Sequence, residues 1–291
     1  MGDTKIPYAT KVWNPVEGCA PCGPACTNCW ARAMANRYAS NPAFLNVEYY
    51  LTGREKASGN NPYACISPWD GTLAEFPNRW NEPLLWRRPQ RIFVGSRSDV
   101  GLWLLEWLQC MRSVMYWTPQ HRYLLLTKRP ATLARFVVHA PLPSNAWLGV
   151  SVWDQPSADR LIPELLRIPA AGYWVSYEPA LAGVDFSPWL FARGQDGEPA
   201  PRNSLPGPAL IVCGGESGPG ARPFDADWAR SVRDQCKAAG VAYWFKQDSA
   251  ANYRGGQAGI SYNAKGQALL DYRLHHALPA GLRLPGEKEN L

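Results

Sequence analysis

Short apolar runs rich in β-branched and aromatic residues recur along the chain, and most are followed by a stretch in which apolar positions return every three or four residues. The first kind of pattern predicts strands at 91–95 (RIFVG), 122–127 (RYLLLT), 147–152 (WLGVSV), 173–177 (YWVSY), 209–213 (ALIVC) and 241–245 (VAYWF), with 11–13 opening the sheet. The second predicts helices over 29–38, 102–116, 131–139, 158–168 and 225–239, the last closed by Gly240. Strands buried on both faces alternating with crossover helices make a parallel α/β sheet. Six to seven βα units of this kind predict a partial (β/α) barrel.

Each predicted strand ends in a polar or glycine-rich turn, and in parallel α/β folds the turns at the carboxyl ends form the ligand face. The candidate binding residues are therefore Ser96, Asp99, Lys128, Ser151, Glu178, Gly214, Gly215, Glu216 and Lys246. Lys128 with Arg129, and Lys246 with Gln247, suit an anionic group through charge-assisted hydrogen bonds. Glu178 and Ser176 suit a ribose or an amine. Each has a plainer alternative: a solvated pair, a helix cap, or, for Gly214 to Glu216, a glycine turn carrying an exposed carboxylate. No residue receives an individual catalytic role from the sequence.

Two stretches break the rhythm. Residues 40–90 are rich in Asn, Pro and Trp with little periodicity, an irregular excursion beside the barrel and a candidate substrate lid. Residues 192–207 (ARGQDGEPAPRNSLPG) have the composition of a flexible insertion. The expected organisation is a barrel over 1–250 and a small C-terminal appendage over 251–291, where strand signals are weak.

Composition narrows the function. A hydrophobic share of 46% in 291 residues supports a sizeable core. No run of about 18 apolar residues occurs, and MGDTKIPYAT lacks the features of a secretory signal, so no membrane association is expected and the expected compartment is the cytoplasm. A net charge of +6, from 30 Lys and Arg against 24 Asp and Glu, is compatible with a nucleic-acid partner, though the basic residues are scattered. The 14 tryptophans are expected mainly in the core, with stacking on bases as their other use.

Of eight cysteines, four fall within eleven residues, in GCAPCGPACTNCWARAMANRYA, on a loop that runs into a helix. Under reducing conditions such thiols point to metal. Cys19, Cys22, Cys26 and Cys29 suit a tetrahedral zinc site, but zinc sites usually draw on two separated pairs. The run Cys22, three residues, Cys26, two residues, Cys29 is the spacing by which radical S-adenosylmethionine enzymes hold a [4Fe–4S] cluster through three thiolates, leaving one iron open for S-adenosylmethionine. Cys65, Cys110, Cys213 and Cys236 are isolated and read as small buried hydrophobes.

The motifs WNPVEGCAPCGPACTNCWA, IFVGSRSD, LLLTKRP, NAWLGVSV, WVSYEP, IVCGGESGPGARP, DWARSVRDQC and FKQ, in this order from about Thr4 to Gln247, resemble an uncharacterised family of phage and prophage proteins with a radical S-adenosylmethionine-like barrel. In that family's pattern the ligand cysteines correspond to Cys19, Cys26 and Cys29, with the residue at Cys22 not usually cysteine; Cys26 and Cys29 belong to both spacings. In radical enzymes a GGE-like turn meets the amino group of S-adenosylmethionine, normally after the second strand, whereas Gly214, Gly215 and Glu216 come late. The resemblance implies a [4Fe–4S] cluster, S-adenosylmethionine, an electron donor of flavodoxin or ferredoxin type, and a modified DNA base or nucleotide as substrate. In a phage setting it implies base hypermodification that protects viral DNA from restriction, as in isomerising an N-linked amino-acid adduct of thymine, such as glycyl-thymine, to its C-linked form. The alternatives are a radical lyase acting on a DNA lesion and a non-catalytic zinc protein that binds nucleic acid.

Overall fold

The computed structural model describes residues 4–44, 47–52, 61–137, 140–190, 207–218, 220–249 and 259–287. The predicted insertion at 192–207 lies outside them except for Gly207, as do the last two residues of the helix expected over 131–139. The chain divides into two compact units, residues 1–146 and 147–291.

The first unit contains, in chain order, β1 (Lys11–Trp13), β2 (Val16–Glu17), α1 (Trp30–Ala39), β3 (Tyr50–Leu51), α2 (Pro62–Ile66), β4 (Ala74–Glu75), α3 (Glu82–Leu85), β5 (Arg91–Val94), α4 (Leu105–Trp117), β6 (Arg122–Thr127) and α5 (Pro130–Val137). β1, β5 and β6 are parallel, with Val12 opposite Phe93 and Phe93 opposite Leu124. Every residue of β5 is buried, which is why it reads as an unbroken apolar run. The helix expected from 102 begins at Leu105, because the Asp99 carboxylate accepts from Gly101 N at 2.9 Å and closes Val100–Leu102 into a separate 3₁₀ turn.

The excursion has a core of its own. β2, β4 and β3 make a small antiparallel sheet, and Tyr49, Tyr63, Ile66, Trp69 and Phe76 pack with Ala31 and Ala35 of α1. Its strands are only two residues long. A period of two cannot be read from two residues, so the segment looks irregular in sequence although it is ordered by packing.

The second unit contains β7 (Ala146–Val152), α6 (Gln155–Leu166), β8 (Gly172–Tyr177), α7 (Ser187–Leu190), β9 (Pro208–Gly214), α8 (Ala226–Ala239), β10 (Ala242–Gln247), β11 (Ile260–Tyr262) and β12 (Ala268–Leu270). β7 to β10 are parallel neighbours in chain order, Val150 lying opposite Val175 and Val175 opposite Ile211. α6 starts three residues earlier than apolar spacing indicates, since Asp154 and Ser157 cap its first turn reciprocally, at 2.9 Å and 3.0 Å. The tail forms the β11–β12 hairpin and then runs antiparallel along β10, where His276 stacks on Trp244 at 4.0 Å between centroids.

The parallel strands, three in the first unit and four in the second, alternate with helices in the βα pattern expected of a partial (β/α) barrel. Trp13, Trp69, Trp80, Trp103 and Trp107 in the first unit and Trp147, Trp153, Trp174 and Trp244 in the second are buried, as expected. Among the described residues no helix is long and apolar enough to cross a membrane.

Candidate functional site

The cysteine loop runs from β2 to α1, and its first residue, Gly18, pairs in parallel with Ser98 just beyond the carboxyl end of β5. Cys22 and Cys26 are adjacent, Sγ to Sγ 3.8 Å. The hydrogen bond between them lowers the Cys26 thiol to about 5, assisted by the backbone N–H groups of Cys22 and Gly23 and the charge of Lys128, while the same bond pushes the Cys22 thiol up. Cys19 is pushed up to about 12, first by burial and then by the Asp99 carboxylate, with Arg129 and Lys128 opposing. Cys19 and Cys29 both pack against the apolar cluster of the excursion, whereas Cys22 is exposed.

Four thiols on one segment are the soft donors that an iron–sulfur cluster or zinc requires. No three His, Cys, Asp or Glu side chains among the described residues surround a common point, and the contact between Cys22 and Cys26 brings two of the four thiols together. Two cations, Lys128 and Arg129, act on the loop, and positive charge favours thiolates and an anionic cluster.

The loop is held by residues that periodicity does not reveal. Arg129 Nη2 donates to the carbonyl of Ala20 at 2.7 Å, and its Nη1 donates to Asp99 Oδ2 at 2.9 Å. Asp99 also accepts from Thr127 Oγ1 at 2.6 Å and from Lys128 N at 3.0 Å, so this predicted ligand residue organises the strand-end turns. Ser96 Oγ donates to Asn14 Oδ1 at 3.1 Å.

Just before the cysteines, Glu17 is almost wholly buried and meets Arg79, Arg97 at 2.5 Å and the Tyr63 hydroxyl at 3.1 Å. Gly18 follows with φ +98°, and a Cβ there would lie 2.3 Å from the carbonyl of Thr72, so only glycine fits. Glu17, Arg79 and Arg97 were not singled out as ligand residues by the sequence, whereas Arg129 was, with Lys128, as a contact for an anionic group. The one signal for Arg97 is position, inside the polar turn after β5.

In the second unit the predicted residues also lie at carboxyl strand ends. Lys246 Nζ meets Glu178 Oε1 at 2.7 Å, Ser176 Oγ donates to Glu178 Oε2 at 3.2 Å, and Ser151 Oγ donates to the Glu178 carbonyl at 3.0 Å. Gly214 lies against Glu178 and Gln247, and a Cβ on Gly215 would come within 2.5 Å of Ser249 N. Glu216 is buried and binds Arg222 through Oε1 to Nη2, while its Oε2 accepts from Arg222 N at 2.8 Å and Nε at 3.1 Å. The GGE turn thus brings its carboxylate to an arginine of the same chain.

A family model described as "Protein of unknown function (DUF5131)" matches residues 3–279. No curated protein matches the sequence. Among solved structures, spore photoproduct lyase complexed with dinucleoside spore photoproduct is similar at 11% identity and a TM-score of 0.38, covering 94% of this chain and 71% of that one. A mutant of spore photoproduct lyase is similar at 10% identity and a TM-score of 0.36, with the same coverage.

Proposed function

The chain belongs to the family described as "Protein of unknown function (DUF5131)", and for it we propose a radical S-adenosylmethionine enzyme whose [4Fe–4S] cluster is held by Cys19, Cys26 and Cys29. The observation that carries this reading is the placement of a loop of four thiols beside the carboxyl ends of the parallel strands β5 and β6, where Gly18 pairs with Ser98 and Arg129 holds Ala20, the side where α/β folds bind ligands, next to the two cations Lys128 and Arg129. A structural zinc site has no need of that position. Cys26 is the thiol most ready to ligate, Cys19 and Cys29 share one apolar wall, and Cys22 is the outer thiol beside Cys26.

A cluster held by Cys19, Cys26 and Cys29 would supply the electron for reductive cleavage of S-adenosylmethionine. The chain's own residues do the rest. Lys128 and Arg129 place positive charge against the thiolates. In the first unit Ser96 is a proposed polar contact for the ligand. In the second unit Ser151, Glu178 and Lys246 present a hydroxyl, a carboxylate and an ammonium at strand ends, with the Gly214 to Glu216 turn, as that unit's own proposed polar contacts. Asp99 contributes indirectly, by holding Arg129 and the strand-end turns.

The proposed substrate is a nucleobase or nucleotide, and the proposed reaction is isomerisation of an N-linked amino-acid adduct of thymine to its C-linked form, fed by a flavodoxin-type or ferredoxin-type donor. Radical chemistry suits this step because the carbon involved is too weak an acid for general bases.

Anaerobic reconstitution tests the cluster. About four irons and four sulfides per chain, lost on Cys26→Ala or Cys29→Ala and reduced more by Cys19→Ala than by Cys22→Ala, are expected. Zinc without iron would transfer the loop to a structural role. Product analysis tests the chemistry: an adduct of unchanged mass with a new carbon linkage supports isomerisation, whereas cleavage of a cross-linked base pair would make the enzyme a lesion lyase.

A further inference from the structure

From the contacts at the two ends of the cysteine loop we infer that Arg97 is a positioning residue, which fixes the start and the end of that loop relative to each other, with Glu17 as its buried counter-charge. This rests on the reading of the loop as a cluster site.

The loop lies between Glu17, the last residue of β2, and Trp30, the first of α1, and its regular structure is one 3₁₀ turn at Pro24–Cys26. Cluster assembly needs thiols spread along such a segment to stay within reach of one another. Arg97 acts on both ends. Its carbonyl accepts from Gly18 N at 3.2 Å at the start of the loop. Its Nη1 lies 3.8 Å from the thioether of Met34, one turn into the helix that follows the loop. The neighbouring Ser98 reinforces the first contact, pairing with Gly18 and donating from Oγ to the carbonyl of Val16 at 3.0 Å.

The guanidinium itself bridges the two ends of the loop, from Glu17 just before it, whose side chain is 1% exposed, to Met34 in the helix after it. A carboxylate so buried requires ionic and hydrogen-bonding partners. Arg79 and Tyr63 already supply an arginine and a hydroxyl. The second arginine is therefore more than neutralisation requires. Arg97 also keeps its Nε buried without a hydrogen-bond partner among the described residues, a cost that an optimally stable core would avoid. Arg79 differs in where its other contacts go. It donates to the carbonyl of Asn14 at 3.1 Å, and its own carbonyl accepts from Trp13 Nε1 at 2.8 Å, so it secures the end of β1 and not the loop.

The experiment compares wild type, Arg97→Gln, Arg97→Lys and Arg79→Lys as metal-free full-length chains, by amide hydrogen exchange over residues 18–29 and by the rate of iodoacetamide labelling of each loop cysteine. Melting temperature, iron uptake and the midpoint potential of the reconstituted cluster follow. Arg97→Gln is expected to raise exchange across 18–29 and labelling of Cys26 and Cys29 at least about tenfold, with iron per chain falling. Arg97→Lys keeps a cation for Glu17 and should recover most of the melting temperature while leaving the loop unprotected, because one ammonium cannot replace the planar fork. Arg79→Lys should leave loop exchange unchanged. Should Arg97→Gln fail to fold, Arg97→Lys alone decides. Loop exchange and labelling equal to wild type in Arg97→Lys, or a rise spread evenly over the first unit, would overturn the proposal. Exchange and labelling need no cluster, so the clamp stands or falls on them even if the reconstituted chain takes up zinc and the cluster reading fails.

Discussion

Arg129 donates to the carbonyl of Ala20 at 2.7 Å, and this bond ties the cysteine loop to the end of β6 across more than a hundred residues of sequence. The other arm of the guanidinium rests on Asp99, so one side chain carries both a charge toward the thiols and a mechanical link to the sheet. Arg129→Ala should lower stability by roughly 1–3 kcal/mol, as the Asp99 carboxylate loses its ionic partner while keeping its neutral ones. Arg129→Lys should recover most of that stability but less of the iron content, since an ammonium cannot serve both acceptors. Chemical denaturation and iron analysis on the two variants check this. Equal iron content in wild type and Arg129→Ala would contradict it.

Much of this arrangement was legible in the chain before the structure. The strands and helices announce themselves because β5, β7, β8 and β9 are buried almost throughout and alternate with amphipathic helices, a pattern that propensity and period both report. The cysteine loop was equally visible, since all its donors are local. The buried ion cluster just before the loop was not. Glu17 finds Arg79 and Arg97 far along the chain, the first of them 62 residues away, and nothing in local composition distinguishes those arginines from solvated ones. Asp99 shows the same difficulty in reverse. It stands in a polar turn at a strand end, as a ligand contact would, yet Gly101, Thr127, Lys128 and Arg129 all donate to it.

The thiol pair gives a pH signature. In the metal-free chain Cys26 is lowered to about 5 by the hydrogen bond from Cys22, below the ordinary thiol value of 9.0, so it is a thiolate at neutral pH. Iodoacetamide labelling of Cys26 should stay near its plateau from about pH 8 down to about 6 and fall as pH passes through about 5. Cys22→Ala removes the hydrogen bond that favours the Cys26 thiolate, raises the thiol toward its ordinary value and should cut labelling at about pH 6 by about tenfold or more. Labelling of wild type that titrates near 9.0 would refute this account of the pair.

Two glycines should respond differently to the same substitution. Gly18→Ala drives a Cβ to 2.3 Å from the Thr72 carbonyl at φ +98°, beside the first cysteine, and should cost about 2 kcal/mol or more together with iron content. Gly215→Ala presses on the backbone of Ser249 at 2.5 Å and should cost about 1–3 kcal/mol through the Glu216 and Arg222 turn, while iron content stays near wild type. Denaturant melts paired with iron assays separate the two. Loss of iron in Gly215→Ala equal to that in Gly18→Ala would contradict the assignment of the cysteine loop to the first unit's own support.

Stability should fall in mild acid. His276 stacks on Trp244 and is lowered to about 4 by burial, and burial lowers His275 as well. Below its ordinary value of 6.5 the unfolded imidazole binds a proton that the folded one refuses. The contribution of His276 is therefore complete above about pH 6.5 and is lost as pH falls through about 4. His276→Phe keeps the stacked ring and should flatten this part of the stability profile. Identical acid profiles for wild type and His276→Phe would show that the histidine does not set it.

Radical chemistry at the cysteine loop is tested by the yield of 5′-deoxyadenosine from the reconstituted chain with S-adenosylmethionine and dithionite under anaerobic conditions. The wild-type chain should form 5′-deoxyadenosine, and Cys26→Ala or Cys29→Ala should abolish it. A chain that retains about four irons yet forms no 5′-deoxyadenosine, or one that holds only zinc, would contradict radical chemistry at the loop.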